Sequence, residues 1–242
     1  MPVATESHVV LVPGNFVGPG IWREVVDRLG VHGVSVTVVR LPSSTVVDGA
    51  PGGDLHDDAA RVRAILDEMD GRVVLCGHSY GGAVITEAAA GPHPAVEHLV
   101  YVTGAMPDVG ESLAALAPAA PADDTAGESV RFRADGMIEL LPDSAREALF
   151  HDCDPRRREE AVAQLVPSNP VVGGQAVRGA AWREIPTTFV RGEVDRMPEL
   201  VSASVHRPSL VEVHIDAGHC PNWTRAEQVT DVVLGRTPPH GP

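Results

Sequence analysis

The chain of 242 residues contains no lysine: its 19 basic residues are all arginine. Schiff-base chemistry and any lysine base are thereby excluded. Acidic residues number 33, which leaves a formal net charge of −14. A surface of that sign repels nucleic acid and anionic membranes, so neither is an expected partner. Cysteine is also scarce. Cys76, Cys153 and Cys220 are odd in number and match no zinc spacing, so neither a disulfide framework nor a metal site is expected. Cys76 ends an apolar run and reads as a core thiol. No stretch of about 18 apolar residues is present to span a membrane. Met1–His8 lacks the charged and apolar regions of a secretory leader, and the expected compartment is the cytoplasm.

What is present is a globular composition, 43% hydrophobic. It suits one large domain, or one domain carrying a substantial insertion, with a sizeable core. Short apolar runs alternate with helical patterns. His8–Val12 reads as a buried strand ending at Pro13-Gly14, followed by a glycine-rich loop and a helix over Ile21–Leu29. Val34–Val39 is a second strand and Leu41–Gly53 a loop. Leu55–Met69 is a helix with Asp57 and Asp58 in its first turn, where they favour the dipole. Further strands are expected at Val73–Cys76, Glu97–Thr103, Ile185–Val190 and Leu210–Ile215. Helices are expected at Pro198–His206 and from a cap at Asn222 through Leu234, and the tail Thr237–Pro242 should fray. This order predicts an α/β fold with a mainly parallel, doubly wound sheet, whose ligands bind at the carboxyl ends of the strands.

Between Asp108 and Arg183 the pattern changes. Alanine and proline crowd Leu113–Pro121, followed by the acidic pair Asp123-Asp124. Val130–Arg133 and Met137–Leu141 resemble a small hairpin. Helices are expected at Ser144–Phe150 and Arg156–Leu165, with Arg156-Arg157-Arg158 as a solvated face.

One stretch carries a chemical signature. Val73–Cys76 runs into Gly77-His78-Ser79-Tyr80-Gly81-Gly82 and then into small residues suited to a helix. Strand, tight turn and helix around G-x-S-x-G match a nucleophile elbow, with Ser79 at its apex. Side chains at Gly77 and Gly81 would collide as strand folds back into helix. A serine hydroxyl needs a base, and the base needs a carboxylate to orient it. In such folds the chain order is serine, acid, histidine. His219 sits in a turn after the last strand, bracketed by Gly218 and Pro221, and is the first candidate for the base. His78 adjoins the serine, but neighbours on a tight turn point apart. His214 sits in a strand and should pack. His93, His98, His151 and His206 have no evident partner. Asp195 follows the preceding strand by a short loop and is the first candidate for the acid; Asp108 and Glu193 are alternatives. Asp216 should shape the turn. An oxyanion hole needs two backbone N–H donors, expected at Tyr80 and, from the loop after the first strand, at Asn15.

Taken together, Leu11–Gly14 with Trp22, the Gly-His-Ser-Tyr-Gly-Gly turn, Leu99–Val102 before Pro107–Ser112, and Ala217–Pro221 resemble the α/β-hydrolase superfamily. Within it the chain is similar to the branch holding plant methylesterases, hydroxynitrile lyases and bacterial esterase-like relatives. The resemblance implies a core of residues 1–107 and 184–242, with residues 108–183 inserted as a cap. Two positions depart from the lyases of that branch, which carry Thr where Gly14 stands and Lys where Cys220 stands. That lysine assists cyanide departure, so cyanohydrin cleavage of this type is not expected.

The expected chemistry is two-step acyl transfer on a small to medium, largely apolar ester, lactone or thioester, without metal or organic cofactor. Ser79 attacks, His219 moves the proton, Asp195 orients it, and Asn15 and Tyr80 bind the oxyanion. Gly14, Phe16, Met106, Leu116, Met137, Phe150 and Cys220 are candidates for the pocket. A lyase, cyclase or other tailoring reaction on the same triad is the alternative, followed by a non-catalytic small-molecule receptor. The expected partner is a small molecule, and a homodimer is compatible with the chain.

Overall fold

A computed structural model describes residues 8–118, 129–206 and 210–236. The acidic pair Asp123-Asp124, the tail Thr237–Pro242 and the end of the Ala/Pro-rich stretch lie outside the described residues.

The chain opens with β1 (His8–Val12), a 3₁₀ turn and α1 (Arg23–Val31), then β2 (Ser35–Val38). The loop expected after β2 contains a 3₁₀ turn, Pro42–Ser44, and a tiny hairpin of β3 (Val46–Val47) and β4 (Ala50–Pro51). There follow α2 (Leu55–Asp67), β5 (Val73–His78), α3 (Tyr80–Ala88) and β6 (Val96–Val102). An inserted stretch holds α4 (Leu113–Leu116), the hairpin of β7 (Val130–Phe132) and β8 (Ile138–Leu140), α5 (Pro142–Ala148) and α6 (Pro155–Val162). The core resumes with β9 (Thr187–Gly192) and β10 (Val211–Ile215), and ends in α7 (Pro221–Thr224) and α8 (Ala226–Val233).

The main sheet has six strands in the order β10-β9-β6-β5-β1-β2, every pair parallel. Central β5 is buried at every residue, as a strand covered on both faces must be. One core layer gathers Leu55, Val62 and Leu66 of α2 with Val84 and Ile85 of α3. The other gathers Trp22, Val25 and Leu29 with Trp223, Val229 and Val233. The chain steps from β1 outward to β2 and then crosses back to β5. The switch point of the fold therefore lies between β1 and β5, the place at whose carboxyl ends such sheets bind ligands.

Three expected features differ. Pro198–His206 is not helical. Its backbone is claimed by the loop after β6: Met106 N–H donates to the Leu200 carbonyl at 2.8 Å, and Ser202 N–H to the Met106 carbonyl at 3.0 Å. Asn222 does not cap the last helix. Pro221 starts α7 with Cys220 at the cap position, Asn222 lies buried within that turn, and Arg225 at φ −134° separates α7 from α8. Nor are the three arginines at 156–158 one solvated face. Arg156 faces Glu160 in the open, but Arg157 pairs with Glu24 at 2.7 Å and Arg158 donates to the carbonyls of Phe150, His151 and Cys153. Those carbonyls lie in the turn that follows α5.

Candidate active site

The site begins with the turn after β5. Ser79 has φ +51°, a conformation that L residues rarely adopt and that a tight strand-to-helix turn imposes. A Cβ on Gly77 would lie 2.5 Å from the Gly81 carbonyl oxygen, so only glycine lets β5 and α3 fold back this sharply. Tyr80 is the first residue of α3, and its N–H has no intrahelical acceptor.

His219 reaches the serine from the loop after β10. Ser79 Oγ donates to His219 Nε2 at 2.9 Å, and His219 Nδ1 donates to Asp195 Oδ2, also at 2.9 Å. Asp195 follows β9, and its second oxygen accepts the Met197 N–H at 2.8 Å. With Nδ1 committed to the carboxylate, Nε2 is left as an acceptor facing the hydroxyl. His219 is 5% exposed while Ser79 is half-buried, so the histidine is shielded and the hydroxyl can be reached.

The structure thus brings together Ser79, His219 and Asp195, and separates the other candidates. Asp108 sits in a bidentate pair with Arg183 and accepts the Ser204 hydroxyl at 2.7 Å. Those hydrogen bonds, Arg183's first, hold its carboxyl well below the usual range. Glu193 faces His214 at 3.6 Å at the sheet's edge, and His214 is exposed rather than packed. His93 pairs with Asp67 at 3.0 Å and His98 with Thr188 at 2.8 Å.

Several neighbours hold the histidine's loop, and of these sequence reading weighed only His78. His78 Nε2 donates to the His219 carbonyl at 2.9 Å. Burial, followed by the nearby His219, pushes the His78 imidazole down to about 3, so it stays neutral. Thr103 Oγ1 lies 2.7 Å from that same carbonyl, on a residue with φ +44°. Asp152, from the insertion, accepts the Gly218 N–H at 2.8 Å. The loop carrying His219 is braced from three elements. Only His78 had a sequence signal, its place inside the elbow motif.

The pocket candidates divide. Gly14 is buried against the elbow: a Cβ there would lie 2.8 Å from both Ser79 Cβ and His78 Nδ1. Asn15 follows it directly. Phe16 is half-buried at φ +62°, and its carbonyl accepts the Val166 N–H at 2.9 Å. With the Val17–Leu165 bridge, this contact ties the loop after β1 to the end of the insertion. Leu116 is half-buried and Met137 fully buried. Met106 lies in one core layer, and Phe150 and Cys220 lie in the other. Burial raises the Cys220 thiol well above its ordinary range, so it stays protonated. Among the described residues, no three His, Cys, Asp or Glu side chains are gathered to hold a metal ion, and no helix is long and apolar enough to cross a membrane.

An α/β sheet with a serine on an elbow and a histidine–carboxylate pair beside it defines a class. A sequence model of the alpha/beta hydrolase family matches residues 9–232, and the chain belongs to that family. It is 29% identical over 245 aligned residues to the "Alpha/beta hydrolase nvfD" of Aspergillus novofumigatus, covering 94% of this chain and 95% of that one. Over 121 residues it is 41% identical to the "Carbendazim hydrolyzing esterase" of Nocardioides, covering 47% and 48% of the two chains. Among solved structures, a pyrethroid hydrolase from Sphingobium faniae superposes with a TM-score of 0.73 at 20% identity, over 95% of this chain and 96% of that one. The protein is therefore an α/β-hydrolase-fold enzyme of the hydrolase and esterase kind.

Proposed function

We propose that the protein is a serine-dependent esterase acting on a small to medium, largely apolar ester, lactone or thioester through an acyl-enzyme. The observation that carries this reading is the unbroken line Asp195–His219–Ser79, with 2.9 Å at each step, built on an elbow at φ +51°. His219 Nε2 takes the hydroxyl proton as Ser79 Oγ attacks the carbonyl carbon. Asp195 holds the ring's orientation and stabilises the imidazolium. The N–H groups of Tyr80 and Asn15 bind the oxyanion. The tetrahedral intermediate collapses, and His219 gives its proton to the departing alcohol or thiol. Water, deprotonated by His219, then attacks the acyl carbon, and Ser79 leaves with the proton restored.

We assign residues 108–183 as a cap and Gly14, Phe16, Leu116 and Met137 as the pocket wall, with Met106, Phe150 and Cys220 backing it. The esterase and hydrolase names of the relatives support the ester bond as the target. We place the enzyme in the cytoplasm, acting on a small molecule rather than on nucleic acid or a membrane. The test is labelling by a fluorophosphonate together with turnover of p-nitrophenyl acetate and butyrate. Both are expected in the wild type, and both should vanish in Ser79→Ala. Labelling without ester turnover would point to a lyase or tailoring reaction on the same triad. Absence of both would sink the triad reading.

A further inference from the structure

Asp58 is a carboxylate that the reaction above does not use, yet it is 0% exposed. It faces inward from α2, on the same stripe as Leu55, Val62 and Leu66. Its Oδ1 accepts the Ser43 N–H at 2.9 Å, and its Oδ2 accepts the Ser43 hydroxyl at 2.5 Å and the Tyr80 hydroxyl at 2.7 Å. A carboxylate taken out of water is strongly destabilising unless its lone pairs are filled. Here donors from two other elements fill them. Desolvation still raises the carboxyl to about 6, with the Ser43 and Tyr80 hydrogen bonds opposing it.

The position of Tyr80 gives this arrangement its meaning. Tyr80 is 1% exposed, and its side chain runs from the elbow into the core to end on Asp58. Its N–H belongs to the peptide that joins it to Ser79, the residue at φ +51°. That peptide sits at the helix start, and its Ser79 carbonyl accepts the Gly82 and Ala105 N–H groups at 2.9 Å each. The anchored Tyr80 side chain holds the other end of the same planar peptide.

We infer that Asp58 is a positioning residue: through the Tyr80 hydroxyl it adds a third anchor to the Ser79–Tyr80 peptide and so helps to aim the Tyr80 N–H at the oxyanion. The inference rests on the reading of Ser79 as nucleophile. Ser43 completes the clamp from its other side. Its carbonyl accepts the Asn169 N–H at 2.9 Å, and Asn169 Nδ2 donates to the Gly53 carbonyl at 2.8 Å. The turn after β2, α2, the elbow and the end of the insertion are thereby joined at one carboxylate.

A brace that served stability alone would leave the folded enzyme's rate constants unchanged, and this separates the two roles. Tyr80→Phe keeps the ring and deletes only the hydroxyl; Asp58→Asn keeps the shape and removes the charge. Turnover of p-nitrophenyl butyrate, the rate of fluorophosphonate inactivation and the thermal midpoint are measured for wild type, each single variant and the double. Losing an oxyanion donor outright costs about 10²–10³-fold in kcat. A misaimed one should cost about tenfold in kcat and in inactivation rate, with KM within about twofold, in each single variant. The double variant should fall no further than the weaker single, because both act through one bond. If the wild type is labelled but Tyr80→Phe keeps both rates within about twofold while its midpoint drops, Asp58 is only a brace and the inference fails. Multiplying losses in the double variant overturn it too. A wild type that is neither labelled nor active removes the nucleophile and this inference with it. If Asp58→Asn does not fold, Tyr80→Phe alone decides.

Discussion

The carboxyl edge of the sheet and the insertion between β6 and β9 are held in different ways. At the edge, backbones touch at Gly77 against Gly81 and Gly192 against the Gly218 carbonyl, while Gly14 lies against the Ser79 and His78 side chains, and none leaves room for a Cβ. Phe16, Ser79 and Thr103, none of them glycine, all hold positive φ there. Such conformations persist only where the surroundings over-determine them. Among the described residues, the insertion holds α-helices of four, seven and eight residues, two 3₁₀ turns and one hairpin of three-residue strands. Much of its outer face is held by ion pairs, Arg146 with Asp143 and Glu159, and Arg133 with Asp135 and Glu139. The carboxylate partners of Arg146 are exposed, and such pairs contribute little. The comparison teaches where change is tolerated: side chains can drift across the insertion, while the edge constrains the backbone itself.

The largest expected effect breaks the edge's chemistry without touching its shape. Asp195→Asn should lower kcat by about 10³–10⁴-fold, because the histidine loses the partner that sets its tautomer. Asp108→Asn, at the start of the insertion, should leave turnover of p-nitrophenyl butyrate near wild type. A reversal of the two would move the acid to Asp108. Next comes Gly14→Ala. Its new Cβ would press on Ser79 Cβ and His78 Nδ1 at 2.8 Å, so kcat should fall by about tenfold or more, from displacement alone. A neutral result would mean that the loop after β1 can retreat.

Asp58 sharpens the comparison through pH. Its carboxyl is raised from 3.8 to about 6, so the folded protein binds that proton more tightly than the unfolded chain. This contribution to stability is present below about pH 4 and is lost as pH rises through about 6. The loss amounts to about 3 kcal/mol, from the usual conversion of a carboxyl's displacement into free energy. Denaturant midpoints from pH 4 to 7 should therefore show the wild type losing ground against Asp58→Asn. Parallel curves would mean that Asp58 does not titrate in this window.

The smallest effects test the insertion. Arg157 pairs with Glu24, donates to the Trp223 carbonyl at 2.5 Å and lies over the Trp223 ring at 5.1 Å from its centroid. Arg157→Ala should cost about 2 kcal/mol of stability through lost packing and hydrogen bonds, with kcat little changed. Arg146→Ala, at the exposed pairs, should leave the thermal midpoint where it was. Equal losses in the two would erase the distinction between an arginine that reaches Glu24 and Trp223 and one paired within the insertion.

The strands were legible because they are short, β-branched and buried on both faces, as at Val9–Val12 and Val73–Cys76. The elbow was legible because its glycines are imposed locally by the turn. Pro198–His206 was not, because its hydrogen bonds go to Met106, far away in sequence. Asp58 was read as a helix-dipole partner because it stands in the first turn of α2. Its place on the apolar stripe with Leu55 and Val62 was the signal that it turns inward. Arg157 and Arg158 were hidden by their run of like neighbours, and only the packing of α6 on Trp223 and on the end of α5 separates them from Arg156.

By itself the amino-acid sequence determined the alternation of strands and helices, the parallel sheet that follows from it, and the strained turn that lifts Ser79. Each depends on residues close together in the chain, where periodicity and steric exclusion act directly. Only the tertiary structure decided that Asp195 and not Asp108 meets His219, that His78, Thr103 and Asp152 brace the His219 loop, and that Asp58 lies beneath Tyr80. Those contacts join residues from separate elements, and their geometry depends on how far each loop extends beyond the sheet. Hydrogen bonds at 2.7–2.9 Å are too short-ranged for a pattern along the chain to anticipate them.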